Sequence, residues 1–517
     1  GSGSDGVAAG YQITNGLNGA TNTGGGGGGG GGRSTSPVGG AGGSGIVVVN
    51  YGANGSALTI NAGSGRVNMA GNVSDVTTLT INSSHASSEI AGVVSGSGSL
   101  VNSGTGGLIL SAINTYTGAT NINAGTLRVT GSLSDSSPVT VASGATYDVA
   151  ASDTIASLAG AGNVTLNSNT LTVGGSTNTT YSGVMSGTGS LVKAGTATFT
   201  ISGANTYTGA TNINSGTLSL SGAGSIANSS KVTATGSFDI SAATTGASIT
   251  TLAGAGNVTL GAKALTITAA NDTFSGVIAG TGSVTLNAGS LTLTGANTYT
   301  GGTTVNAGTL FGGAGSQNTT VFGSGAVTVN SGATLWLDRA ILANDLVLNN
   351  AILQGTNGFG EIFNGNISLT GVNSLVNYYY MTMNGVVSGA GSLVKTENGA
   401  LTLNGANTYS GGITVNAGTL FGGAGSQSRT AFGSGDVTVN AGATLWIDRA
   451  TVNNNLFLNS AILQGTNGFG EVLNGNITLT GTVEFKAGSY MNVNGVVNGT
   501  GAILKTDNGR LTLSGAN

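Results

Sequence analysis

The phrase Asn-Thr-Tyr-[Thr/Ser]-Gly returns four times along this chain, at Asn114, Asn205, Asn297 and Asn407. Each copy is followed by Asn-[Ala/Ser]-Gly-Thr-Leu, at Asn123, Asn214, Asn306 and Asn416. The tyrosines stand 91, 92 and 110 residues apart. A chain that reiterates one unit forms a stack in which each unit rests on its neighbours. Such a chain is better suited to mechanical work than to catalysis.

The local pattern has a period of two. Leu291-Thr-Leu-Thr, Leu401-Thr-Leu-Asn, Leu511-Thr-Leu-Ser, Val327-Thr-Val-Asn and Val437-Thr-Val-Asn alternate apolar with polar residues. Such runs are strands with one buried face, and the Gly, Asn and Ser clusters that close them are turns. Helix formers are scarce and glycine recurs throughout, so no helix is expected. Turn phrases come back after about 20–24 residues, the coil length of a parallel β-helix. With coils ~4.8 Å apart, about 20 of them between Ile46 and Asn517 make a rod on the order of 100 Å long.

A third phrase marks another corner: Gly92-Val-Val-Ser-Gly, Gly183-Val-Met-Ser-Gly, Gly276-Val-Ile-Ala-Gly, Gly385-Val-Val-Ser-Gly and Gly495-Val-Val-Asn-Gly. Three copies run on into a strand that bears a lysine: Lys193, Lys395 and Lys505. Three regions result. Residues 1–45 are a glycine-rich segment with the run Gly24 to Gly32, read as linker, cap or assembly module. Residues 46–298, which open on the strand Ile46-Val47-Val48-Val49, carry repeats of about 91 residues. Residues 299–517 carry two near-identical repeats of 110 residues, and Ala351–Glu361 returns as Ala461–Glu471.

Glycine supplies 97 of 517 residues, but there is no Gly-X-Y period and only two prolines, which excludes collagen. Hydrophobic residues make up 38% and the net charge is −4, so a packed core is affordable and disorder is disfavoured. With 13 basic residues and no basic patch, nucleic-acid binding is not expected. No run approaches the ~20 apolar residues of a membrane helix. Cysteine is absent, which suits a long solenoid that needs no staples. No leader stands at Gly1, and the last residues, Ser514 to Asn517, begin a further copy of the phrase; the sequence is read as a piece of a longer protein.

Taken together, Gly-Val-Val-x-Gly-x-Gly-Ser-Leu-Val-Lys, Leu-Thr-Leu-x-Gly-Ala-Asn-Thr-Tyr-[Thr/Ser]-Gly and Thr-Val-Asn-Ala-Gly-Thr-Leu resemble the autotransporter-associated β-strand repeat, best between Gly385 and Leu420 and more weakly from about Ile90 onward. The resemblance implies an all-β fold, a right-handed parallel β-helix exported to the bacterial outer surface as an adhesin, fibre or spacer. One departure is that no translocating barrel is visible in this sequence.

Chemistry-bearing constellations are few. His85, the only histidine, sits in Ser83-Ser84-His85-Ala86-Ser87 with no acidic partner in the repeat, and is read as a solvated turn residue. Asp148 and Asp153 are likewise read as turn residues. The 17 acidic residues are too scattered for a carboxylate pair or metal cluster, so no catalytic residue, metal or cofactor is expected. The most distinctive set is Trp336, Asp338, Arg339, Phe359 and Glu361, repeated as Trp446, Asp448, Arg449, Phe469 and Glu471. It reads either as an aromatic ladder with surface ion pairs or as a contact stripe for glycans or lateral partners. Tyr378-Tyr379-Tyr380 adds aromatic surface in one unit only.

The sequence therefore points to a structural, non-enzymatic extracellular protein: a stiff β-helical fibre or adhesin stalk on a bacterial surface. Its partners are expected to be other copies of itself, joined end to end into filaments, or surface glycans and host or abiotic surfaces. The low charge predicts little response to salt or pH. The alternative is a glycan-binding or glycan-processing β-helix spike, which requires a cleft where acidic side chains converge.

Overall fold

A computed structural model describes residues 55–313, 319–356, 358–422, 430–466, 468 and 470–516. The glycine-rich segment 1–45, the strand at Ile46–Val49 and Phe469 lie outside the described residues. The chain is all-β, without a helix among the described residues, and its strands stack in parallel as a β-solenoid of about 22 turns. It divides into two compact units between Thr250 and Thr251.

Alternation builds each coil. In Thr170–Val173 and Ser190–Lys193 every second side chain is buried, and the two strands pair Leu171 with Leu191 and Val173 with Lys193. Inward residues therefore form ladders along the axis, such as Leu108, Leu127, Tyr147, Val164 and Met185 in the first unit. A coil commonly takes about 20 residues, as between Thr126 and Thr146. It lengthens where the Phe-Gly-Gly-Ala-Gly-Ser-Gln insertion falls, so that Leu310 pairs with Leu335.

The repeats do not contain a whole number of coils. In the first unit, Gly107–Leu110 belongs to a seven-stranded sheet, whereas its counterpart Thr198–Ile201 lies in a different sheet. In the second unit, Thr309–Gly312 belongs to a 12-stranded sheet and its counterpart Thr419–Gly422 to a nine-stranded one. Each return of the signature thus moves to another face of its unit. Phrases that recur in sequence do not line up as a stripe on one sheet.

The phrases themselves are explained by what they close. Asn407, 1% exposed, accepts from the Val387 amide (2.7 Å) and donates to the Ala431 carbonyl (2.6 Å). Asn205 does the same between Met185 (2.7 Å) and Ser225 (3.1 Å), and Asn114 between Val94 (3.0 Å) and Ser132 (2.9 Å). Asn297 ties Ile278 to Val321 in the same manner. Each asparagine is a staple across three successive coils, placed where the loop has no strand to satisfy those groups. The glycine that opens the Gly-Val-Val phrase is set by contact: a Cβ on Gly385 would stand 2.0 Å from the Gly365 carbonyl oxygen one coil earlier.

Two residues on, the tyrosine turns inward. Tyr116 and Tyr207 meet the hydroxyls of Thr120 (2.5 Å) and Thr211 (2.6 Å), and Tyr299 meets Thr303. At the fourth copy Ile413 replaces that threonine, and the Tyr409 hydroxyl is buried without a partner. A buried hydroxyl without a partner costs about 1–3 kcal/mol. Tyr409→Phe is therefore expected to leave stability unchanged or raise it by up to about 1 kcal/mol, while Tyr207→Phe lowers it by about 1 kcal/mol. Urea unfolding of the two variants checks the contrast.

The lysines cap the same corners from inside. Lys395, 0% exposed, donates to the carbonyls of Glu397 (2.9 Å) and Ala417 (2.8 Å), and the second of these belongs to the Asn-Ala-Gly-Thr-Leu phrase of the next coil. Lys193 serves Gly195 and Ser215 likewise, and in the first copy Asn102 reaches Ala124 from the same place (3.0 Å). Two phrases that look independent in sequence are donor and acceptor of one contact.

Candidate functional site

The distinctive residues of the second unit separate into two environments. Trp336 lies on the outer side of the 12-stranded sheet, in register between Phe311 and Gln354, with the Phe311 ring edge-on at 5.0 Å. Trp446 repeats this on the nine-stranded sheet with Phe421 at 5.2 Å. Both indoles are 37% exposed. The two tryptophans share no sheet, since the repeat has moved to another face.

Glu361 and Glu471 point the other way. They are 2% and 0% exposed and stand on strands of the neighbouring faces, Glu361–Phe363 and Gly470–Leu473. Tryptophan and carboxylate of one copy are therefore not side by side on one face. The glutamate carboxyl packs directly over Gly355 and Gly465: a Cβ there would lie 2.3 Å from the Glu361 or Glu471 Oε2, so the carboxyl would have to shift. Thr356 Oγ1 stands 2.9 Å from Asp338 Oδ1 and 3.4 Å from Glu361 Oε1, and Thr466 lies 3.0 Å and 3.1 Å from Asp448 and Glu471. Glu361 Oε1 also accepts from the Thr356 amide at 3.1 Å and Glu471 Oε1 from the Thr466 amide at 2.9 Å, contacts that favour the ionised carboxyl. Burial, the largest cause, outweighs them, lifting Glu361 to about 7 and raising Glu471 as well.

At the corner between the 12- and nine-stranded sheets Arg339 adopts φ 57°, a conformation uncommon for a residue with a side chain. Its guanidinium lies 3.3 Å from the centre of the Phe359 ring, which is itself 45% exposed. Arg449 repeats the backbone conformation with φ 54° and stands 3.6 Å from Asp448. Tyr378, Tyr379 and Tyr380 lie at the next turn of that corner, 43%, 41% and 55% exposed. The Tyr379 and Tyr380 rings are 4.2 Å apart.

Residues with catalytic potential are held by the fold. His85 Nδ1 accepts from the Ser87 amide at 3.1 Å. Asp148 and Asp153 are strand residues, which corrects their reading as turns: Asp148 pairs with Arg128 at 2.6 Å, and Asp153 is 5% exposed beneath the Tyr147 hydroxyl at 2.7 Å. Tyrosine at 147 makes the inward position polar enough to hold a carboxyl, although burial still lifts Asp153 to about 6. Two surface depressions, of 450 and 440 Å³, are lined by Asp135 with small polar residues and by Arg128 with Ser84 and Thr105. Neither gathers two carboxylates. Among the described residues no three His, Cys, Asp or Glu side chains are placed to share a metal ion.

The asparagine staple, the buried lysine and the glycine column went unread as contacts in the sequence, though their recurrence was visible. The signal that could have found the lysine is its alternation with Asn102 at one place in the repeat.

Parallel coils of this kind, bound together by recurring inward polar contacts, define a β-solenoid repeat scaffold. Four segments, residues 100–129, 191–220, 284–310 and 393–420, match the Passenger-associated-transport-repeat, and the chain thus carries the autotransporter-associated repeat. Each matched segment contains one Asn-Thr-Tyr staple. Over 176 residues the chain is 36% identical to the adhesin BmaC autotransporter of Brucella suis biovar 1 (strain 1330). That alignment covers 33% of this chain and 5% of the adhesin's length. No solved structure matches the chain. No helix among the described residues is long and apolar enough to cross a membrane.

Proposed function

We propose that this chain is a stalk-forming part of an adhesin passenger, displayed outside a bacterial cell, and that it works by holding contact surfaces and not by catalysis. The observation that carries this reading is the coincidence of the three-coil asparagine staple with each of the four passenger-repeat matches. What recurs is a device for stacking coils. Glycan processing, the alternative, requires exposed converging carboxylates; Glu361, Glu471 and Asp153 are enclosed.

Antibody labelling of intact producing cells tests display. Labelling without permeabilisation is expected, and labelling that appears only after lysis contradicts it. End-to-end joining is the finer part of the reading, supported by the main-chain pairing that links each coil to the next. It predicts oligomers that grow with concentration in sedimentation, whereas monomer at every concentration contradicts it.

A further inference from the structure

The two 110-residue copies are identical from Ala351 to Glu361 and from Ala461 to Glu471, then diverge in the strand that follows. Val372–Val376 and Thr482–Lys486 hold the same place, since Ile352 pairs with Ser374 as Ile462 pairs with Glu484. Their outward residues differ in kind. The second copy presents Glu484 and Lys486, 3.7 Å apart, followed by Gly488 and Ser489. The first presents Ser374 and Val376, followed by Tyr378 and Tyr379. An ion pair and two small residues have been exchanged for an uncharged aromatic surface on an unchanged frame.

That surface is continuous with its neighbour along the corner. Tyr380 packs over Gly360, with its Cβ 3.0 Å from where a Gly360 side chain would begin, and Gly360 follows Phe359 under the Arg339 guanidinium. Phe359 and the tyrosines thus occupy the same corner in successive coils. Neighbouring coils are ~4.8 Å apart, close to the length of one sugar unit in an extended polysaccharide. Aromatic side chains offer flat apolar faces with, for tyrosine, a polar rim. The Glu484–Lys486 type of ion pair is missing here, and the charge that remains, on Arg339, is held against the Phe359 ring, so the tyrosines themselves present an uncharged face. Five side chains are also far short of the ~800 Å² per partner that a stable protein–protein interface buries, which argues against a second copy of the chain as the occupant.

We propose that the corner formed by Phe359, Tyr378, Tyr379 and Tyr380, flanked by Arg339, binds an extended neutral polysaccharide, and that the second copy does not. This rests on the surface-contact reading above. The test is affinity electrophoresis of the full chain through gels containing hydroxyethyl cellulose, laminarin or alginate, in parallel with Tyr378→Gly/Tyr379→Ser. Because Gly488 and Ser489 already occupy those places in the other copy, the frame is expected to survive the change. Circular dichroism of the variant checks this, and Gly488→Tyr/Ser489→Tyr, the reciprocal variant, gives an independent reading.

Retardation by one of the two neutral polymers, reduced at least tenfold in affinity by the tyrosine exchange and increased by the reciprocal one, is the expected result. Binding to none of the three, binding to alginate alone, or equal affinity of the wild type and the tyrosine variant overturns the proposal. So does self-association in sedimentation that the tyrosine variant abolishes, which would make the corner a homotypic contact. Failure here leaves surface display standing, since labelling of intact cells is read separately.

Discussion

Replacing Asn407 by alanine is expected to destabilise the second unit by about 2–6 kcal/mol, because it strands two buried backbone groups at about 1–3 kcal/mol each. The Val387 amide loses its acceptor at 2.7 Å and the Ala431 carbonyl its donor at 2.6 Å. Both lie one coil away from Asn407 on opposite sides, so one substitution loosens three coils. In a stack whose units contact only their neighbours, the effect stays local. Hydrogen exchange should rise between about Val387 and Ala431 and remain unchanged in the first unit, for example at Leu108–Val129. Asn407→Asp keeps the acceptor but removes the donor to Ala431 and buries a charge. It is expected to be no better than alanine at neutral pH. Uniform loss of protection along both units, or none at all, would contradict the staple.

The second large effect concerns pH. Glu361 ionises at about 7 in the folded chain against 4.5 ordinarily, and Glu471 is raised in the same direction. Below about 4.5 both folded and unfolded chains hold the proton, and these sites contribute fully. Between 4.5 and about 7 the unfolded chain has released it while the folded chain retains it, so stability falls as pH rises. Above about 7 the loss at Glu361 is complete, about 1–3 kcal/mol, and Glu471 acts in the same direction. Asp153, raised to about 6, acts in the same sense in the first unit. Urea midpoints at pH 4.5 and 7.5 should show the second unit more stable in acid, and Glu361→Gln/Glu471→Gln should flatten the difference. Staying at or below pH 7.5 keeps Lys395, lowered by burial to about 8, mostly protonated. The low overall charge suggests indifference to pH. The interior carboxyls set the dependence instead.

Much of this architecture is legible in the residues, because a parallel coil writes its burial directly into a period of two. Thr-Leu-Thr-Val and its variants name the inward face, and recurrence of the turn phrases measures the coil. Which face a phrase occupies is harder to read. It depends on the fractional number of coils per repeat, and a coil that stretches from Thr126–Thr146 spacing to Leu310–Leu335 spacing makes that fraction invisible without the register. For this reason Trp336 and Trp446 looked like one stripe and stand on two sheets. Direction misled as well. Glu361 follows an exposed phenylalanine in a glycine-rich turn, the setting of a surface carboxylate, yet Gly355 opens a space that admits it to the interior. In the Asn-Thr-Tyr phrase the residue types were plain, but their role depends on amides and carbonyls one coil away, which no local pattern reports.

Coil register fixes which residues meet between turns, and the absence of native cysteine allows that register to be measured cleanly. Val192 and Asn212 are outward partners on adjacent strands of the first unit, as are Thr414 and Thr438 in the second. Neighbouring strands place such pairs within the ~4.4–6.8 Å Cα separation that a disulfide accepts. Val192→Cys/Asn212→Cys and Thr414→Cys/Thr438→Cys should each oxidise to an intrachain disulfide in the folded protein, while Val192→Cys/Thr211→Cys, whose second cysteine faces inward, should stay reduced. Reduced thiols in both registered pairs, or ready oxidation of the mismatched one, would show that the coils do not stack as described.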